Sequence, residues 1–223
     1  PLRRIGLWAV PIAVALIVVG LVMLTRSPAG VLTEQDMVLL AFENLTRDAV
    51  FDETVPLAMS IQLEQSPYLA LLSADHIRET LQMMRRAPDT PLTREVGLEV
   101  CERVGARAVI VTSITTLGSR YAIGLEAIAC GAGHDVLVRR QEVVEAKEQV
   151  LDGIQRGAEA IRQAVGESAA SVRRYGTPMI QATTSSLDAL RQMRLGDVAR
   201  ELGQGTAALD HYRQAVLLDP DFA

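Results

Sequence analysis

The side chains here that could do chemistry are few: three histidines, two cysteines, some grouped carboxylates, one glycine-rich turn and one hydroxyl-rich run. Histidine and cysteine serve as metal ligands or as a nucleophile with its base. His76, His134 and His211 fall one to an element, and none stands at ligand spacing from Cys101 or Cys130. They read as surface or cap residues, with no metal site. Glu142, Glu145 and Glu148 could supply a paired acid and base, but they are spread over a strand end and a helix start and read as a solvated face. Asp48 and the pair Asp52-Glu53 stand where a helix begins and read as caps that complement its dipole. Gly131-Ala132-Gly133 resembles a phosphate loop, yet it joins two strands, and a phosphate loop needs a helix amino terminus behind it. Thr183-Thr184-Ser185-Ser186 reads as an exposed run with no His or Lys near it to activate a hydroxyl. No Walker motif, kinase lysine strand or H-R-D loop is present. The chain itself is expected to hold no catalytic site and no cofactor, and no ligand pocket of convergent polar groups is legible.

Composition narrows the partners. The formal net charge of the 223 residues is -5. The first thirty residues hold three arginines and no acid, so the rest sets 19 basic residues against 27 acidic ones. An acidic body argues against nucleic acid, whose phosphates need clustered Lys and Arg. Cys101 and Cys130 read either as two buried thiols or, outside the cytoplasm, as a permitted disulfide.

The elements behind these residues emerge from periodicity. Met37–Phe42 is a compact apolar run, the pattern of a buried strand, and Val50–Glu64 repeats at helical spacing until Ser66-Pro67 stops it. Tyr68–Leu72 reads as a second strand. Ser73 caps a helix from Ala74 to about Met84. After a loop with two prolines, Thr93 opens another helix that Gly105 ends. Ala108–Thr116 is rich in β-branched residues, and Tyr121–Ala129 and Val136–Val144 complete two hairpins. A long amphipathic helix is expected from Lys147 to about Arg174. The expected fold is α+β, with helices packed on a mixed sheet, over residues 32–175, followed by a polar linker, 176–186.

Both ends have their own character. Ile5–Leu24 is an uncharged apolar run, long enough to cross a bilayer as a helix, with Arg3 and Arg4 before it and Arg26 after it. Residues 1–31 are therefore expected to be a juxtamembrane and transmembrane segment. The charge bias places the residues after Arg26 outside the cytoplasm, in a single-pass inner-membrane protein. The first residue is Pro1 rather than Met, which reads as a piece of a longer polypeptide. Residues 187–223 fit the tetratricopeptide (TPR) template: Leu195-Gly196 fills its L-G pair, Ala208 and Tyr212 its A-x3-aromatic, Ala215 packs one turn on, and Pro220 ends the second helix. Gln192 and Ala199 depart from it, standing where the template has Trp and Tyr. One repeat cannot bury its own face, so the array reads as truncated and its expected partners are proteins or peptides.

The block Val38–Asn44 with Val50-Phe51-Asp52 resembles the start of TolB-like amino-terminal domains. Leu63–Pro67, Val104–Ala106, Leu117–Tyr121 and Gln181–Leu187 resemble sensor regions of large bacterial membrane-bound serine/threonine protein kinases. In those proteins the kinase domain precedes a single membrane helix and TPR repeats come after it. The resemblance implies a membrane-anchored sensing and protein-interaction region for signal transduction, acting by dimerisation or a population shift. ATP and Mg would belong only to the absent kinase domain. The same outer module also succeeds winged-helix domains in some transmembrane transcriptional regulators, and an anchored TPR assembly scaffold is a third reading. A homodimer is among the expected partners; nucleic acid is not.

Overall fold

The computed structural model describes Leu32, residues 35–131 and residues 133–222. From Leu32 onward the chain forms one compact unit. Its centre is a five-stranded sheet in the order β2-β1-β3-β4-β5, built from β1 (Asp36–Asn44), β2 (Leu69–Leu71), β3 (Ala108–Leu117), β4 (Arg120–Ala129) and β5 (Val136–Val144). β1 runs parallel to both β2 and β3, while β3, β4 and β5 form an antiparallel meander. Parallel neighbours need a crossover. Here α1 (Val50–Glu64) links β1 to β2, and α2 (Ala74–Met83) with α3 (Arg94–Val104) links β2 to β3.

Strand alternation sends successive side chains to opposite faces, and both faces are covered. Val38, Ile110, Ile114, Ile123 and Leu125 pack with Phe51, Val55 and Met59 of α1 and with Ile154 and Ile161 of α4 (Val150–Ala164). Leu39, Ala41, Val109, Val111 and Ile128 pack with Leu81 of α2 and Val100 of α3. The close fit of α4 on β4 depends on two glycines: a Cβ on Gly153 or Gly157 would lie 2.7 Å from Ile123 or Leu125.

The expected fold class is corrected on three points. The chain is a mixed α/β fold, with βαβ crossovers and helices on both faces of one sheet, because α1 and the α2–α3 pair take opposite faces. The helical hairpin of α7 (Leu187–Glu201) and α8 (Gly205–Leu218) belongs to the same compact unit: Leu187 and Leu190 are buried in the α1–α4 core. No helix among the described residues is long and apolar enough to cross a membrane. The single-pass inner-membrane location is corrected on the same ground. The run Ile5–Leu24 that carried it, and its membrane contact, lies outside the described residues.

The helix expected over Lys147–Arg174 is in fact broken. A 3-10 turn (Lys147–Gln149) leads into α4, and α5 (Ala169–Tyr175) begins after Gly166 (φ 122°) and the Ser168 cap. A φ of this size suits only glycine. Between the two helices, Glu167 is buried and accepts both Arg162 Nε and Nη2 at 2.8 Å. Ser66 and Ser171 also donate to it, at 2.5 and 2.7 Å. Residues 176–186 are likewise more than a linker, since they hold α6 (Met179–Ala182), whose Met179 is buried in the main core.

Candidate functional site

β2 is short. It pairs with Asp36–Val38 and ends at Leu71, so among the described residues no strand covers that side of β1 from Leu39 onward. The hydrogen bonds that close this side are Leu72 N–H to the Val38 carbonyl and Phe42 N–H to the Leu92 carbonyl, both 2.9 Å. A cleft of about 880 Å³ opens here, at the carboxyl ends of the parallel strands β1 and β3. Ligand clefts commonly run from about 300 to 1,000 Å³, and the carboxyl ends of strands in open α/β sheets are where ligands tend to bind.

Leu40, Phe42, Met59 and Thr112 contribute its floor. α1 gives one wall with Asp52, Glu53 and Pro56, and the α2–α3 loop gives the other with Asp89, Pro91 and Thr93. Arg194 reaches in from α7. Thr112 is only 2% exposed, and its Oγ1 has no hydrogen-bond partner among the described residues. A buried hydroxyl without a partner costs about 1–3 kcal/mol relative to a satisfied one. Ala108, Ile110 and Ile114 share its strand face and are apolar, so a hydroxyl stands where the core pattern calls for a methyl group.

The rim is rich in acceptors. Pro56 lies inside α1, and having no N–H it removes the amide that would bond the Asp52 carbonyl. Asp52 Oδ1 accepts Asn44 Nδ2 at 2.8 Å, and Glu53 Oε2 lies 3.7 Å from Arg194 Nε. Glu43 accepts the Arg94 amide at 3.2 Å. Glu95 accepts the Thr93 hydroxyl at 3.0 Å. Its carboxyl is held below the usual range, first by its own backbone amide and then by Thr93. The positive amino end of α3 is thus already met by the chain's own carboxylates.

Of the carboxylates, histidines, cysteines and hydroxyl run weighed for chemistry in the sequence, Asp52 and Glu53 reach this cleft, and they do more there than cap a helix. Asp48 does act at the α1 start: its Oδ1 accepts the Val50 amide, and its Oδ2 holds Lys147 Nζ at 2.5 Å. The histidines stay apart. His76 gives its amide to the Ser73 cap, His134 Nε2 meets Glu102 at 2.8 Å, and His211 Nδ1 meets Gln192 at 2.8 Å. Glu142 faces Arg156, and Glu145 faces Arg120. Ala132 of the glycine turn lies outside the described residues. The hydroxyl run is corrected: Thr183 and Thr184 are buried, Thr184 bonds Asp219, and Ser186 caps α7. Cys101 and Cys130 form a disulfide that ties the α3 carboxyl end to the end of β4, with Cα atoms 5.9 Å apart.

Of the residues that match the TPR template, Gly196 and Tyr212 meet inside the hairpin. Gly196 is buried under the Tyr212 ring, which a Cβ there would approach to 2.4 Å. Tyr212 Oη donates to Asp197 at 2.8 Å. Burial first, and then this carboxylate, raise the Tyr212 pKa. Ala208 and Ala215 are buried, Leu195 is half-buried, and Pro220 lies just past α8. Leu209, Val216 and Leu217 are exposed on α8.

No protein-family model matches the chain, and no curated protein matches it. Solved structures do. The LpoB C-terminal domain from Salmonella enterica matches at 16% identity and a TM-score of 0.42, over 55% of this chain and 90% of that one. Lipoprotein GNA1162 from Neisseria meningitidis matches at 12% and 0.43, over 60% of this chain and 99% of that one. TolB from Acinetobacter baumannii matches at 11% and 0.41, over 62% of this chain and 30% of that one. At these identities and scores the likeness says nothing of ligand or partner.

Sequence reasoning missed Phe42, Asp89, Thr112 and Arg194. The one available signal was Thr112, a polar residue at a core-facing position of the most apolar strand. The others gather from separated segments, so only the fold brings them together.

Proposed function

We propose that residues from Leu32 on form a ligand-sensing and protein-interaction module, with no chemistry of its own. The unsatisfied, buried Thr112 hydroxyl in the floor of the β1–β3 cleft is the observation that carries this reading. A group that costs stability in the ligand-free protein has a use when a ligand atom reaches it. The output side is the α7–α8 hairpin. Its helix α7 touches the cleft through Arg194, which faces Glu53 of α1, and its helix α8 carries the exposed apolar residues suited to a protein partner. The Cys101–Cys130 bond supports work in an oxidising compartment. A receptor kinase or a transcriptional regulator upstream is no part of this reading, since no described residue bears on it.

The test is amide and methyl chemical-shift mapping of the full chain against a fragment library of mixed charge. Saturable shifts grouped at Leu40–Leu45, Asp52 and Thr112 are expected, with smaller ones at Arg194 and its neighbours on α7. Fragments that shift only other surfaces would leave the module without a sensing site.

A further inference from the structure

The chemistry of the rim goes further than the presence of a site. We infer that the cleft takes a small organic cation, an ammonium or amidinium head on an apolar body. This rests on the cleft being a ligand site and names the ligand's class. Five acidic side chains line the cleft (Glu43, Asp52, Glu53, Asp89 and Glu95), of which Glu43 and Glu95 serve the amino end of α3, against a single lining guanidinium, that of Arg194. Arg194 is itself turned to Glu53, 3.7 Å away. Such a rim offers places for N–H donors and none for an anion. The one natural anion site nearby, the amino end of α3, is filled by Glu43 and Glu95. Beneath the rim, Leu40, Phe42 and Met59 supply an apolar floor for the body of the ligand.

Thr112 is the second, independent observation. Its hydroxyl can both donate and accept. It is shielded from water in the ligand-free protein, and Phe42, its register neighbour on β1, is half-buried. A ligand that displaces the Phe42 ring exposes the hydroxyl and satisfies it. Binding then combines a charge contact at the rim, apolar burial and one hydrogen bond at the base.

Three probes with closely similar aromatic bodies separate the ligand classes: phenethylamine, 2-phenylethanol and 3-phenylpropionate, each titrated into the full chain by calorimetry and located by amide shifts. Phenethylamine is expected to bind at the cleft about tenfold more tightly than the alcohol, since hydrogen bonds to charged groups are the stronger ones. The propionate is expected not to bind there. Asp89→Asn, on an exposed loop, is expected to weaken the amine about threefold and leave the alcohol unchanged. Raising the salt concentration should weaken the amine alone. Equal binding of alcohol and amine, or amine binding indifferent to both Asp89→Asn and salt, would overturn the cationic class and leave the cleft as a site. No shift at the cleft with any of the three would overturn both.

Discussion

Thr112 and Glu167 are both buried and polar, and they sit at opposite extremes of satisfaction. Thr112 Oγ1 has no partner among the described residues. Thr112→Val keeps the shape and removes the orphan, so it is expected to stabilise the ligand-free protein by about 1 kcal/mol, read as a higher urea midpoint at an unchanged slope. It should also weaken whatever binds the cleft. Glu167 accepts four hydrogen bonds, two of them from the buried Arg162. Burial pushes its carboxyl up, but the bonds from Arg162, Ser66 and Ser171 outweigh that, and its pKa lies below the ordinary 4.5. A depressed folded-state pKa contributes stability above the unfolded value that is lost as pH falls through the folded one. Glu167→Gln leaves Arg162 unpaired and is expected to cost about 3–5 kcal/mol near neutrality. Urea melts from about pH 7 down to about pH 3 should show the gap between wild type and variant constant above about pH 5 and narrowing below it. A pH-independent gap would contradict the assignment. At this scale the sequence was least informative. A lone Thr in an apolar strand is visible, but whether its hydroxyl finds a partner depends on neighbours far along the chain.

Among the elements, strands and caps were the most legible. Ser73 and Thr93 do cap α2 and α3, and Gly105 does end α3 with φ 68°. These are local effects, set by a side chain and an amide three residues apart. The break between α4 and α5 was hidden because the apolar stripe runs through it, although Gly166 and the Ser168 cap mark it locally and the buried Arg162–Glu167 pair fixes it. The hairpin was legible through its spacing: Gly196 and Tyr212 sit where close helix approach requires them. Gly196→Ala would force the Tyr212 ring aside and is expected to cost about 1–3 kcal/mol. Hydrogen exchange should show protection falling across Leu187–Leu218 and, by the same free energy, at the slowest amides of β3 and β4. Unaltered protection of α8 would mean the ring moves freely and the contact is not what closes the hairpin.

For the whole molecule, hydrophobic pattern separated the sheet from the hairpin, but the packing joins them. Leu190 is fully buried with α1 and α4 residues, and no sequence period records which core a helix will enter. Leu190→Ala is expected to lower one cooperative melting transition, at a cost of about 2–5 kcal/mol. A separate early transition of the hairpin would contradict a single unit. The cleft is a property of this same scale. It exists because β2 stops early, the α2–α3 loop crosses at Phe42 and α7 brings Arg194 to the rim. Its role is best measured by a crystallographic fragment soak at high occupancy. A cation-binding cleft predicts cationic fragments seated there, with the Phe42 ring displaced and a fragment atom within hydrogen-bond distance of Thr112 Oγ1. Fragments gathered on the α8 face or elsewhere, with none in the cleft and Phe42 unmoved, would contradict it.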